Sequence, residues 1–487
     1  MESGHSHSNI DLSKIKRGPI VAALIIGAFV SILNETLLNI AFPDLMKEFG
    51  IVETTVQWLS TSYMLVIGIL VPVTALLQQW FTTRQMFIGA MTLFTIGTIV
   101  CGVGPTFEVL LAGRVIQALG TGLMLPVLMN TILIIFPPEN RGAAMGMIGL
   151  VIMTAPAIGP TLSGLIVDSL GWRWLFYMVV PLAAFSILFA TIFLKNVSHI
   201  TKPKVDILSL VMSTIGFGGI VYGFSSVGKL GWTDPVVIWC LAAGGVSLLL
   251  FVWRQLVMDT PILDLRTFKY PMFSLVTVLM LILMMAMFST MIMLPLFMQN
   301  VLLLSALSAG LIMMPGGIIN GILAPISGKL FDMYGPRVLV IPGLLLLVVT
   351  MWLFSGIEST WTGGYVIMLH VMMMVAMSMI MMPAQTSGLN QLPRSLYAHG
   401  TAIMNTLQQV SGAIGMALFI SIMSSGAKDY MAASQDPLNP AEGIEAMVAG
   451  FHRSFIIGAG FTVIALVIGF FVKRTKPPVE QPDQQAA

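Results

Sequence analysis

Glu35 stands inside the first long apolar run of the chain, in the stretch Ser31-Ile-Leu-Asn-Glu-Thr-Leu-Leu-Asn39. Ser31, Glu35 and Asn39 are four residues apart, so a helix carries them on one face, with Gly27 below. A charged side chain at the bilayer centre costs about 2.5–3.5 kcal/mol or more and survives where it meets a bundle interior or water. The fourth apolar run holds a second such group, Arg114, with Gln117 and Thr121 at spacings of three and four and Gly113, Gly120 and Gly122 around it. Both ionisable groups fall about two helical turns below the same end of their spans, which makes them partners within one bundle. A carboxyl group held between a buried cation and desolvation can exchange a proton when water access changes, as proton coupling requires. Two plainer readings stand beside this one: a fixed ion pair that never titrates, and a structural polar contact between helices.

The elements that must position these groups are membrane helices. Of 487 residues 57% are hydrophobic and 9% charged, against about 25% charged in ordinary soluble domains. Apolar runs of roughly 20 residues recur throughout, each long enough to span hydrocarbon as a helix. The chain reads as an all-α polytopic membrane protein with fourteen spans, near 19–42, 56–77, 86–103, 108–135, 143–167, 173–194, 206–228, 234–256, 271–298, 308–328, 338–356, 362–384, 401–425 and 452–472. With both termini on the cytoplasmic side, seventeen Lys and Arg residues lie inside; Lys47, Arg173, Lys229, Lys428 and Arg453 lie outside. The net charge of +2 therefore marks topology, and no nucleic-acid partner is expected. Cys101 and Cys240 fall in apolar spans without metal-ligand spacing, and His5 and His7 belong to a polar tail, so no metal site is expected.

Two motif pairs point to internal duplication. Gly328-Lys-Leu-Phe-Asp332-Met-Tyr-Gly335-Pro-Arg337 follows the tenth span, and Ala75-Leu-Leu-Gln-Gln79-Trp-Phe-Thr82-Thr-Arg84 follows the second, an offset of 253. Arg141-Gly142-Ala-Ala-Met-Gly opens the fifth span and His399-Gly400-Thr-Ala-Ile-Met opens the thirteenth, an offset of 258. Near-equal offsets predict two six-helix bundles with helices 7 and 8 inserted, the arrangement of a transporter with its site between parallel repeats. The expected division is a cytoplasmic tail at 1–18, a first bundle at 19–196, linkers and the inserted pair at 197–265, a second bundle at 266–474 and a tail at 475–487. Asp332 and Arg337 are expected to pair as a latch that holds one access state, with Gln79 leaving the first-half counterpart neutral.

The fifth span carries Ala155-Pro156-Ala-Ile-Gly159-Pro160-Thr-Leu-Ser-Gly164, a pattern that bends a transmembrane helix and admits a neighbouring backbone. The thirteenth has Asn405, Gln408, Gln409, Gly412 and Gly415, and the two are expected to line a central cavity. Methionines, 38 in all, concentrate at 284–298 and 372–382; soft thioethers suit a surface that accepts several ligand shapes, or serve as lipid-facing filler. Gln57, Tyr63, Phe288 and Met291 are further candidates for the cavity wall.

These pieces resemble the major facilitator superfamily, in its fourteen-span drug:proton antiporter branch (EmrB/QacA type). The likeness rests on Leu33-Asn34-Glu35-Thr36-Leu37-Leu38-Asn39-Ile40-Ala41-Phe42-Pro43, on Leu110-Leu-Ala-Gly-Arg114-Val-Ile-Gln117-Ala-Leu-Gly120-Thr-Gly122, and on Gly159-Pro160 through Gly164. Trp172-Arg-Trp174-Leu-Phe176 and Leu294-Pro295-Leu-Phe-Met-Gln299 extend it, and the chain looks most like Gram-positive lincomycin-resistance-type exporters. Three positions depart from the branch. Its first-helix aspartate falls at Asn34, with the acid one residue on at Glu35, a rotation of about 100°; Gln79 and Thr82 replace an acid and a glycine; Val179 replaces an asparagine.

The resemblance implies proton-coupled efflux of drugs or other amphipathic small molecules across a bacterial cytoplasmic membrane, with lipids around it, no cofactor beyond the proton gradient, and a monomer. Glu35 and Arg114 would couple protons. Asn34, Asn39, Gln57, Tyr63, Gln117, Thr121, Phe288, Met291, Gln299, Asn405, Gln408 and Gln409 would line the substrate path. Arg84, Pro156, Gly159, Pro160, Gly164, Gly328, Asp332, Gly335 and Arg337 would carry the conformational motifs. A dedicated exporter of an endogenous metabolite or nucleotide is the alternative. No G-x-x-x-x-G-K-[ST] phosphate loop occurs, which speaks against ATP hydrolysis. Few histidines and no paired catalytic carboxylates speak against an enzyme.

Overall fold

A computed structural model describes residues 17–51, 53–56, 58–197, 200, 206–258, 261–304, 306–434 and 439–475. Among them there is no strand. The long helices are α1 (Arg17–Leu37), α2 (Trp58–Trp80), α3 (Thr83–Val103), α4 (Phe107–Ile135), α5 (Arg141–Leu170), α6 (Arg173–Phe193) and α7 (Ile207–Leu230). They continue as α8 (Pro235–Val257), α9 (Pro271–Asn300), α10 (Ala306–Tyr334), α11 (Arg337–Ser355), α12 (Gly363–Asn390), α13 (Tyr397–Ala433) and α14 (Pro440–Gly469). Over the described residues twelve are long and apolar enough to cross a membrane; the described stretches of α2 and α5 fall outside that group. The fold is thus all-helical, with about 12 to 14 apolar helices.

Several helices outrun the apolar runs that announce them. α13 extends from Tyr397 to Ala433 and α14 begins at Pro440. Hydropathy marks only the stretch that matches the hydrocarbon, whereas a helix persists into the polar interface as long as its backbone bonds are satisfied. The reverse holds for α1. It ends at Leu37, and Leu38–Ala41 is a 3₁₀ turn leading into a short helix, Phe42–Phe49. A 3₁₀ turn advances about 120° per residue instead of 100°, so Asn39 leaves the α-helical register of Ser31 and Glu35.

Packing repeats along the chain. Among the first six helices, α1 packs on α4, α5 and α6, α3 on α4 and α6, and α2 on α4. Among the last six, α9 packs on α12, α13 and α14, α11 on α12 and α14, and α10 on α12, each the counterpart eight helices on. Across the two sets α5 meets α10 and α12, while α2 and α4 meet α13. α7 and α8 form a hairpin, and α7 lies against both α2 and α13.

The entrance to that hairpin is tied by charge. Arg254 Nε and Nη2 donate to Asp206 at 2.7 and 3.0 Å. These bonds, aided by Ser209 and opposed by partial burial, hold the Asp206 carboxyl down at about 2. A carboxyl depressed on folding contributes fully above the ordinary carboxylate range and loses that contribution as pH falls toward 2. Asp206→Asn is therefore expected to lower the thermal midpoint in detergent by the same amount at pH 5 and pH 8, roughly 2–4 °C. A shift that differs between the two pH values would show that the tie titrates in that range.

Candidate functional site

Arg114 is fully buried in α4. Its Nε donates to the Leu59 carbonyl of α2 at 3.4 Å and its Nη1 to Gln117 Oε1 at 2.9 Å, while Gln117 Nε2 donates to Thr98 Oγ1 of α3 at 2.8 Å. The Tyr63 ring lies under the guanidinium, 4.0 Å from centroid to Cζ, and the Tyr63 and Thr121 hydroxyls share a 2.6 Å hydrogen bond. Such a stack is worth about 2 kcal/mol when desolvated. The glycines of the α4 motif make the nest possible. A side chain at Gly113 would strike Cys101, one at Gly120 would strike Ala90 and Phe94, and one at Gly97 of α3 would strike Gln117 itself. Without Cβ atoms there, α3 comes near enough for Thr98 to reach Gln117.

The cation is thus held by neutral groups, and Arg114 Nη2 has no protein partner. Among the described residues it forms no ion pair with a carboxylate. Glu35 is half-buried on α1, which packs against α4. On the same helix Ser31 Oγ and Asn34 Nδ2 are buried without protein partners. Buried polar atoms are nearly always hydrogen-bonded, to protein or to ordered water, so this concentration on one helix stretch is unusual.

α5 is seated beside that stretch. Gly159 lies against Thr36, and Ser163 Oγ donates to the Leu37 carbonyl at 2.6 Å. A Cβ at Gly159 would overlap the Thr36 hydroxyl, whereas Gly164 faces open space. The motif therefore meets α1 next to the acid through Gly159 and Ser163, and Gly164 plays no part in that contact. The side chains of Asn39, Pro156 and Pro160, and all of Gln57, lie outside the described residues.

At the far end of α5, on the face rich in Lys and Arg, the expected pairing of Asp332 with Arg337 is replaced by another. Asp332 Oδ1 and Oδ2 accept the backbone N–H groups of Gly142 and Ala143 at 2.8 and 2.9 Å, capping the first turn of α5 from the end of α10. Arg337 Nε instead donates to the Val472 carbonyl at 3.0 Å. The physical reason is the helix terminus: free N–H groups and the positive end of the dipole offer a carboxylate more than an exposed guanidinium five residues on. Gly328 allows the approach, since a Cβ there would run into the Gly142 backbone. Gly335, at φ +83°, turns the chain into α11 in a conformation that favours glycine. The first-half counterpart is neutral, as its sequence requires: the Gln79 amide lies 3.3 Å from His399 Nε2 at the start of α13. Arg84 stays within the first six helices, donating to the Thr191 carbonyl at 2.5 Å.

Sequence reasoning missed two contributors. Arg141, read as a topology marker, is buried, and its guanidinium donates to Asn390 Oδ1, Tyr397 OH and the Leu133 and Phe136 carbonyls at 2.7–3.1 Å. The available signal was its place as the counterpart of His399. Met129 of α4 receives amide contacts from Gln385 of α12 at 3.5 Å and Asn405 of α13 at 3.6 Å, which nothing in a lone methionine announces. Of the remaining candidates, Gln408 and Gln409 are half-buried on α13, and Gln408 Nε2 has no protein partner. Phe288 covers Gly412 of α13. Met291 and Gln299 are exposed on α9, and the structure does not bring them to the Arg114 nest.

Comparison with known proteins bears on the family and the fold. The model of the Major Facilitator Superfamily matches residues 24–416. The chain is 50% identical over 463 residues to the lincomycin resistance protein LmrB of Listeria monocytogenes, covering 95% of this chain and 98% of the relative. It is 52% identical over 460 residues to LmrB of Bacillus subtilis, covering 94% and 96%. Among solved structures, a human organic anion transporter, MFSD10, superposes with a TM-score of 0.63 at 16% identity over 93% of this chain and 99% of that one. The proton:xylose symporter XylE superposes at 0.64 and 14% identity over 94% and 96%. A shared helical scaffold and half-identical relatives along nearly the whole length leave one assignment: the chain belongs to the major facilitator superfamily, as a multi-pass transporter of the bacterial cell membrane rather than an enzyme.

Proposed function

We propose that this protein exports drugs or other amphipathic small molecules by alternating access, driven by inward proton movement through Glu35 and Arg114. In this reading all fourteen helices span the membrane, both termini and the basic face are cytoplasmic, and two six-helix bundles rock about a central path. The inserted pair then occupies 197–265 between bundles at 19–196 and 266–474. The resistance named in the half-identical relatives supports the substrate class.

One observation carries the coupling: a half-buried carboxylate on α1 and a fully buried guanidinium on α4, the helix packed against it, which among the described residues pairs with no carboxylate. A fixed ion pair would bring the charges into bonded contact. Here the cation is held by Tyr63, Gln117 and Leu59, which leaves the acid free to lose or gain its proton. The unpartnered atoms of Ser31, Asn34 and Arg114 fit a path that water can enter, because solvent is the partner left to them. Asn34 and Asn405, Gln408 and Gln409 face the path from opposite bundles and supply hydrogen-bonding to a polar substrate group. The capped α5 terminus closes the cytoplasmic face.

Ethidium and lincomycin export from proteoliposomes with an imposed proton gradient tests the reading. Export that persists unchanged after an ionophore collapses the gradient removes proton coupling, and lack of export of either compound removes the drug class. The latch has its own test. Asp332→Asn keeps one acceptor but loses the charge at the helix terminus, an effect of about 0.3–1 kcal/mol. Turnover is expected to change several-fold with little change in substrate affinity; an unchanged rate would leave the cap as a structural turn.

A further inference from the structure

The geometry points to a role for the inserted hairpin: α7–α8 is fixed to α13, slides on α2, and keeps the α2–α13 seam closed to lipid while the bundles move. The inference rests on the alternating-access reading above.

The hold on α13 is made at both ends of the hairpin. Away from the basic face, Val227 of α7, Val237 of α8 and Ala417 of α13 form one fully buried cluster with Phe224 and Leu241 packed against it. Trp232 in the hairpin turn donates its Nε1 proton to Ser421 Oγ of α13 at 2.6 Å. At the other end a relay of hydrogen bonds leaves the hairpin for the same helix. Gln255 Nε2 donates to Ser209 Oγ at 2.7 Å, Leu263 N donates to Gln255 Oε1 at 3.1 Å, and Asp264 N donates to His399 Nδ1 at 3.2 Å. Two anchors roughly a membrane thickness apart fix both the position and the tilt of a rod.

The contacts with α2 made by the side chains described are of a different character. Val221 covers Gly68, and Gly218 receives Leu65 and Ile69. Tyr222 and Trp58 stack with centroids 5.7 Å apart. These contacts are non-directional, so they can shift along the helix without a bond being broken. A groove of about 430 Å³, open to the surface, lies beside them, lined by Leu65, Ile69, Gly218, Tyr222, Trp239 and Cys240.

Among the described residues the opposite seam has no such cover and is closed by close contacts at glycines instead. Gly142 meets Gly328, Gly146 meets Ala324 and Pro325, and Gly321 meets Thr154. The counterpart seam between α2 and α13 is crossed at the basic face by Gln79 and His399. α7 packs on both helices of that seam.

Two cysteine pairs in a background lacking Cys101 and Cys240 test the proposal. Gly68→Cys with Val221→Cys joins α7 to α2; Val227→Cys with Ala417→Cys joins α7 to α13. Oxidising the first pair is expected to stop ethidium export and reductant to restore it, while oxidising the second leaves the rate within twofold of the reduced protein. Export that survives the α2 crosslink, or stops with the α13 crosslink, overturns the proposal. A second readout does not depend on export: spin-label distances from Ile215 to Met64 of α2 and from Leu230 to Lys428 of α13, in lipid nanodiscs. The α13 distance is expected to be single and narrow and the α2 distance broad or two-peaked; an α13 distribution as broad as that of α2 overturns the proposal. Absence of ethidium export from the reduced protein, with a narrow α13 distance and a broad α2 distance, would count against the efflux reading alone.

Discussion

Glu35→Gln is expected to reduce gradient-driven export to the background of empty proteoliposomes while downhill movement of preloaded substrate continues. The substitution keeps the volume and one hydrogen-bonding oxygen of the acid, so α1 should still pack on α5 through Thr36, Leu37 and Ser163. What it removes is the carboxyl group on the helix packed against that of Arg114, the proposed carrier of the proton. A coupling residue and a structural one differ in this split. Loss of a helix contact would impair uphill and downhill movement together, whereas loss of the proton carrier impairs only the uphill direction. Proton release on substrate binding in detergent, read with a pH dye, should vanish in the same variant. Wild-type uphill rates in Glu35→Gln would refute the assignment.

Arg114→Ala is expected to abolish uphill export and to lower stability as well, because the arginine is the hub of its nest. Its removal leaves Gln117 Oε1 without its donor and the Tyr63 ring without its cation, and takes from the Leu59 carbonyl the bond it accepts beside its helical one. Each orphaned buried acceptor costs about 1–3 kcal/mol, so a visible drop in thermal midpoint should accompany the loss of function. Arg114→Lys separates the two effects. Lysine keeps the charge but cannot make the forked contacts of Nε and Nη1. It should recover part of the pH dependence of export while remaining less stable than the wild type. If Arg114→Lys shows wild-type stability yet no pH-dependent export, the nest matters for shape alone and the charge does not couple.

Membrane character and the apolar helices were legible in the residues themselves. Hydrocarbon imposes a length on each apolar run, and matching landmarks such as Gly142 with Gly400 and Gln79 with Asp332 are what raise the expectation of duplicated halves. Glu35 and Arg114 were legible for a related reason: a charge amid apolar neighbours contradicts its surroundings and so draws notice. Their surroundings were not legible. That Tyr63 of α2 stacks under Arg114 and Thr98 of α3 steadies Gln117 depends on which helix faces lie together, and period 3.6 leaves that open. The latch illustrates the same boundary. The carboxylate, the glycines and the basic residues near Asp332 were all visible, and proximity in sequence suggested Arg337. Only the tertiary fold brings the bare N–H groups of α5, 190 residues away, under that carboxylate. A local motif states what a side chain can bind; which partner it meets is decided by the packing of distant helices, because several partners satisfy the same chemistry.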